Sequence, residues 1–341
     1  MTERAGRATM RDVAALAGVS IKTVSRVVNA EAGVADPVRE RVQDAVTRLD
    51  YRHHLGASNL RRGSSRSGLI GALLQDVSNS FSAALLRSLE DAARSRGTAI
   101  LSASLDEEPD REVSLVNDLV SRRVDGLVIM PSTLRQDYLS SEVRVGLPVV
   151  FVDREPQGVA ADSVSVENFE GAQMGAEHLL AQGHRRIACL TDLPQISTAQ
   201  RRYAGFVQAF AERGQRPDER LAISGLRGAA AAEEAVIQLL DLDRPPTAVF
   251  AGRNDLAQGT VRALRRRGLS ESVAVVGFDD FPLADLLTPA LTVIRQDVGR
   301  IGRITAEILF ARIDGDASPP QRVVIEPTLV VRGSGEIPPP A

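Results

Sequence analysis

The sequence predicts an α/β protein of two unequal parts: an N-terminal three-helix head of helix-turn-helix type, followed by a two-lobed, doubly wound core. Three observations predict it. Residues 1–66 hold 12 Arg and Lys against 7 Asp and Glu, whereas the rest of the 341-residue chain holds 29 against 37. A small basic head on a larger acidic body is the asymmetry expected when the head meets a polyanion. Up to about residue 50, apolar residues recur three and four positions apart between capping residues, the spacing of short amphipathic helices. From Leu69 onward, short apolar runs alternate with helical stretches, and the alternation restarts once, as two βα lobes require.

The head justifies itself residue by residue. Thr9 stands three positions before Asp12, a capping-box spacing in which each side chain satisfies an orphan amide of the first turn. Val13, Leu16 and Ala17 form the expected apolar stripe, Gly18 ends the helix, and Ser20 can cap a second one almost at once. In that second helix Val24, Val27 and Val28 should face inward. Ile21, Lys22, Ser25, Arg26 and Asn29 then share the opposite face, where Lys, Ser, Arg and Asn suit donor-rich contact with base edges and phosphates of double-stranded DNA. The same pattern also describes a solvated face on any small helical bundle. Lys22 is the only lysine in the chain. A third helix is expected to begin at Asp36, with Pro37 at its first position, and to run through Val38, Val42, Val46 and Leu49. The following "YRHHLGASNLRRGSSRSG" reads as a polar, basic linker in which "HLGASNLRR" could make two helical turns, marginal alone because of Gly56.

In the core, "LIGALL", "TAILSA", "GLVIMP" and "PVVFVD" read as buried parallel strands, and "RRIACLTD", "LAIS", "AVFAG" and "VAVVGFDD" as a second set. Helices fill the intervals. Sheets of this kind bind ligands outside the carboxyl ends of their strands. The single cysteine, Cys189, leaves no internal disulfide or multi-thiolate metal site, and neither metal nor cofactor is expected. The start "MTERAGRATM" lacks the apolar core of a secretory signal, and no run approaches the roughly 20 apolar residues of a membrane span. A cytoplasmic protein without a membrane partner is the expectation.

"TMRDVAALAGVSIKTVSRVVNAEAGVADPVRERVQDAVTRLDY" closely resembles the DNA-binding head of the LacI-type (lactose repressor) family of bacterial transcription regulators, and the resemblance extends over nearly the whole chain. It implies a recognition helix starting at Ser20, with Ile21, Lys22 and Arg26 as principal base readers. Ser20, Thr23, Ser25 and Asn29 would lie nearer the backbone, and Thr9 joins the DNA-contacting set. It further implies that the linker becomes a hinge helix when two subunits pair on DNA. Leu60 would wedge into the minor groove and Ala57 would supply a small hinge residue, an arrangement in which unstacking permits a bend. His53 and His54, Gly56 and Ser58 depart from the family's usual hinge residues.

The resemblance also implies a core like that of type I periplasmic sugar-binding proteins. The expected organisation is a head over 1–51, a hinge and linker over 52–67, a two-lobed domain over 68–334 and a tail over 335–341. Lobe one would take about 68–163 plus 297–316, and lobe two about 164–295 plus a last strand, "RVVIEPTLVV", over 321–332. Three crossings would form a hinge whose closure on an effector moves the surfaces carrying the heads. The candidate effector contacts are Asp76 and Phe81 in "QDVSNSFSAAL", Asp153 in "VFVDR", Arg202 in "TAQRRYAGF", Asn254 in "AGRNDLAQG", Asp279 in "VGFDD" and Gln296 in "IRQD". Asp and Asn accepting from hydroxyls, with Arg donating, is polyol chemistry. Phe81 could instead be a core residue, and Asn254 or Asp279 could simply cap a helix. Leu226 stands where the family often has an aromatic residue, and the chain has no tryptophan on which to stack a sugar.

These features predict a homodimeric, effector-switched transcription regulator, most simply a repressor, with operator DNA and a sugar or sugar derivative as partners. Two-fold symmetry would match a pseudo-palindromic operator. The tail "GEIPPPA" has no leucine heptad that would make a tetramer. Two alternatives are a plain sugar receptor, which would need export, and a hydrolase using carboxylates such as Asp279 and Asp280. The sequence holds no P-loop, GxGxxG, GxSxG or HExxH motif.

Overall fold

The computed structural model describes residues 8–29, 31–51 and 66–340. They fall into two compact units, divided between Ser67 and Gly68. The hinge expectations on His53, His54, Gly56, Ala57, Ser58 and Leu60 lie outside the described residues.

In the first unit, α1 (Met10–Ala17), α2 (Ile21–Val28) and α3 (Asp36–Arg48) surround one small core of Val13, Ala14, Ala17, Val24, Val27, Val42 and Ala45. The capping box forms as expected, with the Thr9 amide donating to Asp12 Oδ2 at 2.8 Å and the Asp12 amide to Thr9 Oγ1 at 3.4 Å. Gly18 ends α1 at φ 66°, a left-handed conformation that glycine adopts without strain. Leu16 does not join the stripe: it is 47% exposed, and Ala14 is buried in its place. At 3.6 residues per turn Leu16 lies about 110° around α1 from the middle of the Val13–Ala14–Ala17 face. Helix α3 starts as expected with Pro37 in its first turn, but Ala35 precedes it and supplies no side-chain cap.

The second unit contains two six-stranded sheets. In lobe one, β1 (Leu69–Leu74), β2 (Ala99–Ser104), β3 (Gly126–Ile129), β4 (Val149–Val152) and β5 (Asp162–Val166) are joined through α4 (Ser80–Ser95), α5 (Pro109–Ser121) and the short α6 (Ser140–Arg144). Lobe two repeats the plan with β6 (Ile187–Leu190), β7 (Ala222–Ile223), β8 (Ala248–Ala251), β9 (Ala274–Phe278) and β10 (Thr292–Arg295). Its helices are α7 (Asn168–Ala181), α8 (Ser197–Ala211), α9 (Gly228–Leu240) and α10 (Asn254–Arg267). Helix α11 (Val298–Ile313) returns to pack on α4 and lobe one, as expected. Both sheets have the order second–first–third–fourth–fifth strand, and both are completed by a strand from the end of the chain.

That completion corrects the lobe boundaries. "RVVIEPTLVV" is not one strand of lobe two. It divides into β11 (Arg322–Ile325), which runs parallel to β5 in lobe one, and β12 (Thr328–Val330), antiparallel to β10 in lobe two. Pro327, lacking an N–H, falls at the break. All of β5 belongs to lobe one, so that lobe extends to Val166 rather than ending at residue 163.

Alternate residues of the inner strands feed separate cores. In β8, Ala248 and Phe250 pack under α7 and α8, while Val249 and Ala251 pack under α9 and α10. Burial on both faces explains the continuous apolar runs in the sequence. The helix pairs come very close: a Cβ on Gly205 of α8 would meet the Phe169 carbonyl at 2.0 Å, and one on Gly259 of α10 the Ala229 carbonyl at 2.2 Å. Glycine is therefore a packing requirement at both positions.

Candidate functional site

Helix α2 presents the expected polar face. Ser20 caps it, accepting from the Thr23 amide at 3.1 Å, and Ile21 and Lys22 stand exposed on its first turn. Lys22 has no ion pair among the described residues. Further along, Asn29 donates to Ser25 Oγ at 3.2 Å. Arg26 turns back toward the loop after α2, where Nη2 donates to the Ala32 carbonyl at 2.8 Å and Nε lies 3.7 Å from Glu31. The side chains behind the first turn are thus tethered within the head, whereas Ile21 and Lys22 stand exposed.

In the second unit, the chemistry gathers where the strand ends of both lobes face each other. Gln75 follows β1, Met130 follows β3, and Asp153 and Arg154 follow β4. From lobe two, Asp192 stands just beyond β6, Gly252 and Arg253 follow β8, and Asp279 follows β9. These residues, with Asn79, Phe81, Thr198, Arg202 and Gln296, line an interlobe cleft whose free volume is only about 40 Å³. Asp153 and Asp279 occupy matching places in the two lobes, each in the left-handed region at φ 68° and 70°. Aspartate tolerates that region better than most side chains.

Arg202 is the central donor. Its Nε donates to Asn168 Oδ1 at 2.7 Å, its Nη1 to the Gly252 carbonyl at 2.8 Å and to Asp279 Oδ2 at 3.3 Å. The guanidinium stacks 3.7 Å from the centre of the Phe278 ring, a cation–π contact. Gln296, on the crossing from β10 to α11, donates to Asp279 Oδ1. Arg253 bonds both Asp192 and Asp255. Burial pushes the carboxyls of Asp153 and Asp192 above the ordinary range, against the pull of Arg154 on the first and Arg253 on the second. Two buried polar atoms in the lining, Arg154 Nε and Gln296 Oε1, have no hydrogen-bond partner. Leaving such an atom unsatisfied costs about 1–3 kcal/mol, so a ligand that met both would be favoured.

Of the expected effector contacts, Phe81, Asp153, Arg202, Asp279 and Gln296 line the cleft. Phe81 also packs on the lobe-one core, so it belongs both to the lining and to the core. Asn254 adjoins the cleft and bonds Asn79 and Ser80 from the other lobe. Asp76 is not brought there. Its carboxylate closes its own turn, accepting from the Ser78 amide at 2.8 Å and hydroxyl at 2.7 Å, while Gln75 and Asn79 take the lining positions. Leu226 lies in the lobe-two core. Sequence reading missed Gln75, Asn79, Met130, Arg154, Asp192 and Arg253, although position just past a strand end would have flagged most of them. No described helix is long and apolar enough to cross a membrane, and no three metal-ligating side chains converge among the described residues.

Comparison with known proteins agrees with this geometry. Residues 9–53 match the model for bacterial regulatory proteins of the lacI family, and residues 176–335 that for a periplasmic binding protein-like domain. The HTH-type transcriptional regulator DegA of Bacillus subtilis is 30% identical over 333 residues, covering 96% of this chain and 98% of its own. The lac repressor dimer bound to operator and an anti-inducer superposes with a TM-score of 0.82 at 27% identity, covering 97% of this chain and 99% of its own. A putative ribose operon repressor from Burkholderia thailandensis gives 0.70 at 30% identity, over 78% of this chain and 99% of its own. These relatives are regulators rather than enzymes. With the three-helix head, the two βα lobes and relatives spanning nearly its full length, the chain belongs to the lacI family of bacterial transcriptional regulators.

Proposed function

We propose that this regulator is a cytoplasmic repressor that binds a pseudo-palindromic operator as a homodimer and is switched by a small sugar in the interlobe cleft. One observation carries the reading: Asp153 from lobe one, Arg202 and Asp279 from lobe two, and Gln296 from a crossing converge on one cleft. A ligand there touches both lobes and a hinge at once, so its binding is coupled to lobe closure. Acceptors and donors alternate around the cleft with one aromatic, Phe81, as a cover, which suits a hydroxylated ring. The Burkholderia relative, named as a putative ribose operon repressor, supports a sugar ligand. DNA reading falls to Ser20, Ile21, Lys22, Thr23, Ser25, Arg26 and Asn29, with Ala57 and Leu60 assigned to the hinge by family resemblance.

The test has two arms. Selection from random duplexes should enrich a two-fold symmetric site bound by two chains. A melting screen of uncharged sugars and nucleosides should identify a stabilising ligand, since binding raises the midpoint by mass action. The ligand should then change operator affinity. A chain that binds one asymmetric site, or whose operator affinity ignores every stabilising ligand, would contradict the proposal.

A further inference from the structure

A second layer of charge stands behind the cleft lining. The loop between β2 and α5 holds two successive non-glycine residues in the left-handed region, Asp106 at φ 54° and Glu107 at φ 57°. Asp106 pairs outward with Arg111 at 2.7 Å. Glu107 turns inward, its side chain only 7% exposed, and accepts from Arg154 Nη1 at 2.8 Å and Nη2 at 2.5 Å. Nη1 also donates to the Pro131 carbonyl at 2.7 Å. Arg154 therefore spends the forked end of its guanidinium on its own chain. What remains is Nε, buried, without a hydrogen bond, and 3.6 Å from the nearest carboxylate, that of Asp153.

The other guanidiniums of the cleft offer no free fork either: Arg253 commits all three nitrogens, and Arg202 commits Nε to Asn168 and Nη1 to the Gly252 carbonyl and Asp279. Arg202 pairs with Asp279, and Arg253 with Asp192 and Asp255. Three arginines thus meet five carboxylates: Glu107, Asp153, Asp192, Asp255 and Asp279. Recognising a carboxylate or phosphate normally takes the free fork of an arginine or an unpaired cation, and the cleft offers neither. A hydroxyl group is different, because it both accepts and donates. It can accept from Arg154 Nε and donate to the unpartnered Gln296 Oε1 or to Asp153.

We infer that the cleft selects an uncharged polyhydroxyl ligand against its phosphorylated or carboxylated forms, and that Glu107 sets this choice by occupying the fork of Arg154. The inference rests on the effector role proposed for the cleft and narrows its ligand class. Glu107 is a positioning residue, acting through Arg154 rather than touching the ligand. The excess of carboxylates agrees with it, since burial and acidic neighbours, Asp279 and Glu107 for Asp153 and Glu107 for Asp192, push these two carboxyls up.

The experiment follows thermal melting of the full-length protein titrated with uncharged pentoses and hexoses, with gluconate, ribose 5-phosphate and inorganic phosphate. Wild type should be stabilised by an uncharged sugar and not, saturably, by the anions. Glu107→Gln should gain saturable anion binding, roughly tenfold or more tighter than wild type, because the freed fork offers charge-assisted bonds. The gain should vanish in Glu107→Gln/Arg154→Gln, which also corrects for anions bound at the basic head. Anions that saturate wild type as well as the variant, or a variant that matches the double variant, would overturn the inference. Should Glu107→Gln not fold, wild type with glucose against gluconate and ribose against ribose 5-phosphate still decides the preference. If no uncharged sugar stabilises wild type, the sugar reading falls, while the anion titrations of the two variants still decide whether Glu107 closes the fork of Arg154.

Discussion

The side-chain amides of Asn79 and Asn254 face each other across the two lobes and exchange hydrogen bonds, Asn79 Nδ2 donating to Asn254 Oδ1 at 2.9 Å and Asn254 Nδ2 to Asn79 Oδ1 at 3.1 Å. Asn254 also donates to Ser80 Oγ at 2.9 Å, and Asn79 accepts from the Phe81 amide at 3.0 Å. This pair latches the lobes and fixes the start of α4, whose Phe81 lines the cleft. Asn254→Ala should remove about 1–3 kcal/mol of bias toward closure. Small-angle scattering of the sugar-free protein should then report a larger radius of gyration than wild type. Superimposable profiles would show that other contacts hold the lobes.

Arg202 is a structural member of its site as well as a candidate donor to ligand. Its removal leaves the buried Asp279 carboxylate without its cation and with only the Gln296 amide, and takes the donor from the Asn168 oxygen and the Gly252 carbonyl. Arg202→Ala should therefore cost about 3–5 kcal/mol of folding stability, the range for breaking a buried ion pair. Its loss of effector response should be judged alongside Arg202→Gln, which keeps a donor. Chemical denaturation gives the first quantity and operator titration with and without sugar the second. An Arg202→Gln protein that responds at wild-type sugar concentrations would remove Arg202 from the effector contacts.

Lys22, the only lysine, is exposed at the first turn of α2, while Arg26 is tethered to Ala32 and Glu31. Lysine gives a mobile point donor where arginine gives a rigid fork. Lys22→Ala should cost about 1–3 kcal/mol of discrimination between operator and single-base variants. Equal weakening on every sequence would instead mark Lys22 as a phosphate contact.

His184 is fully buried, with Nε2 2.8 Å from the Ile337 carbonyl and Nδ1 2.8 Å from Thr247 Oγ1. The carbonyl can only accept, so Nε2 is the protonated nitrogen and Nδ1 accepts from the hydroxyl. Burial lowers the imidazole below its ordinary 6.5, only partly opposed by the Ile337 bond. The unfolded chain then takes up a proton before the folded one does, so stability is intact above pH 6.5 and is lost as pH falls below it. The melting midpoint should drop on acidification from pH 7 to 5.5, and less so in His184→Gln. Parallel curves for the two proteins would exclude His184 as a source of the drop.

Strong local signals make much of the fold readable from sequence alone. Thr9 with Asp12, Gly18 and Ser20 mark helix ends through contacts within a few residues, and the inner strands announce themselves because both faces are buried. Strand β5, "DSVSV", stays hidden because its polar residues look solvent-facing. They are buried because β5 lies inside the sheet between β4 and β11, and because Arg312, 150 positions away in sequence, pairs with Asp162 at 2.8 Å. The same limit applies to the cleft. Asp76 and Gln75 share a loop, and only tertiary packing decides which of them turns inward. Glu107 is hidden for a related reason: its role depends on a left-handed backbone and on a partner 47 residues away.

The divided end of the chain has a consequence for biosynthesis. Lobe one starts at β1, near residue 69, yet its edge strand β11 is finished only at residue 325, and lobe two receives β12 three to five residues later. At about 5–20 residues per second, translation leaves lobe one without that edge for roughly 13–50 s. Neither lobe can mature as an independent unit while the ribosome is still at work, and a chain truncated before residue 322 leaves β5 and β10 as bare sheet edges, which β11 and β12 cover in the finished protein. Incomplete translation products should accordingly be prone to pairing with one another.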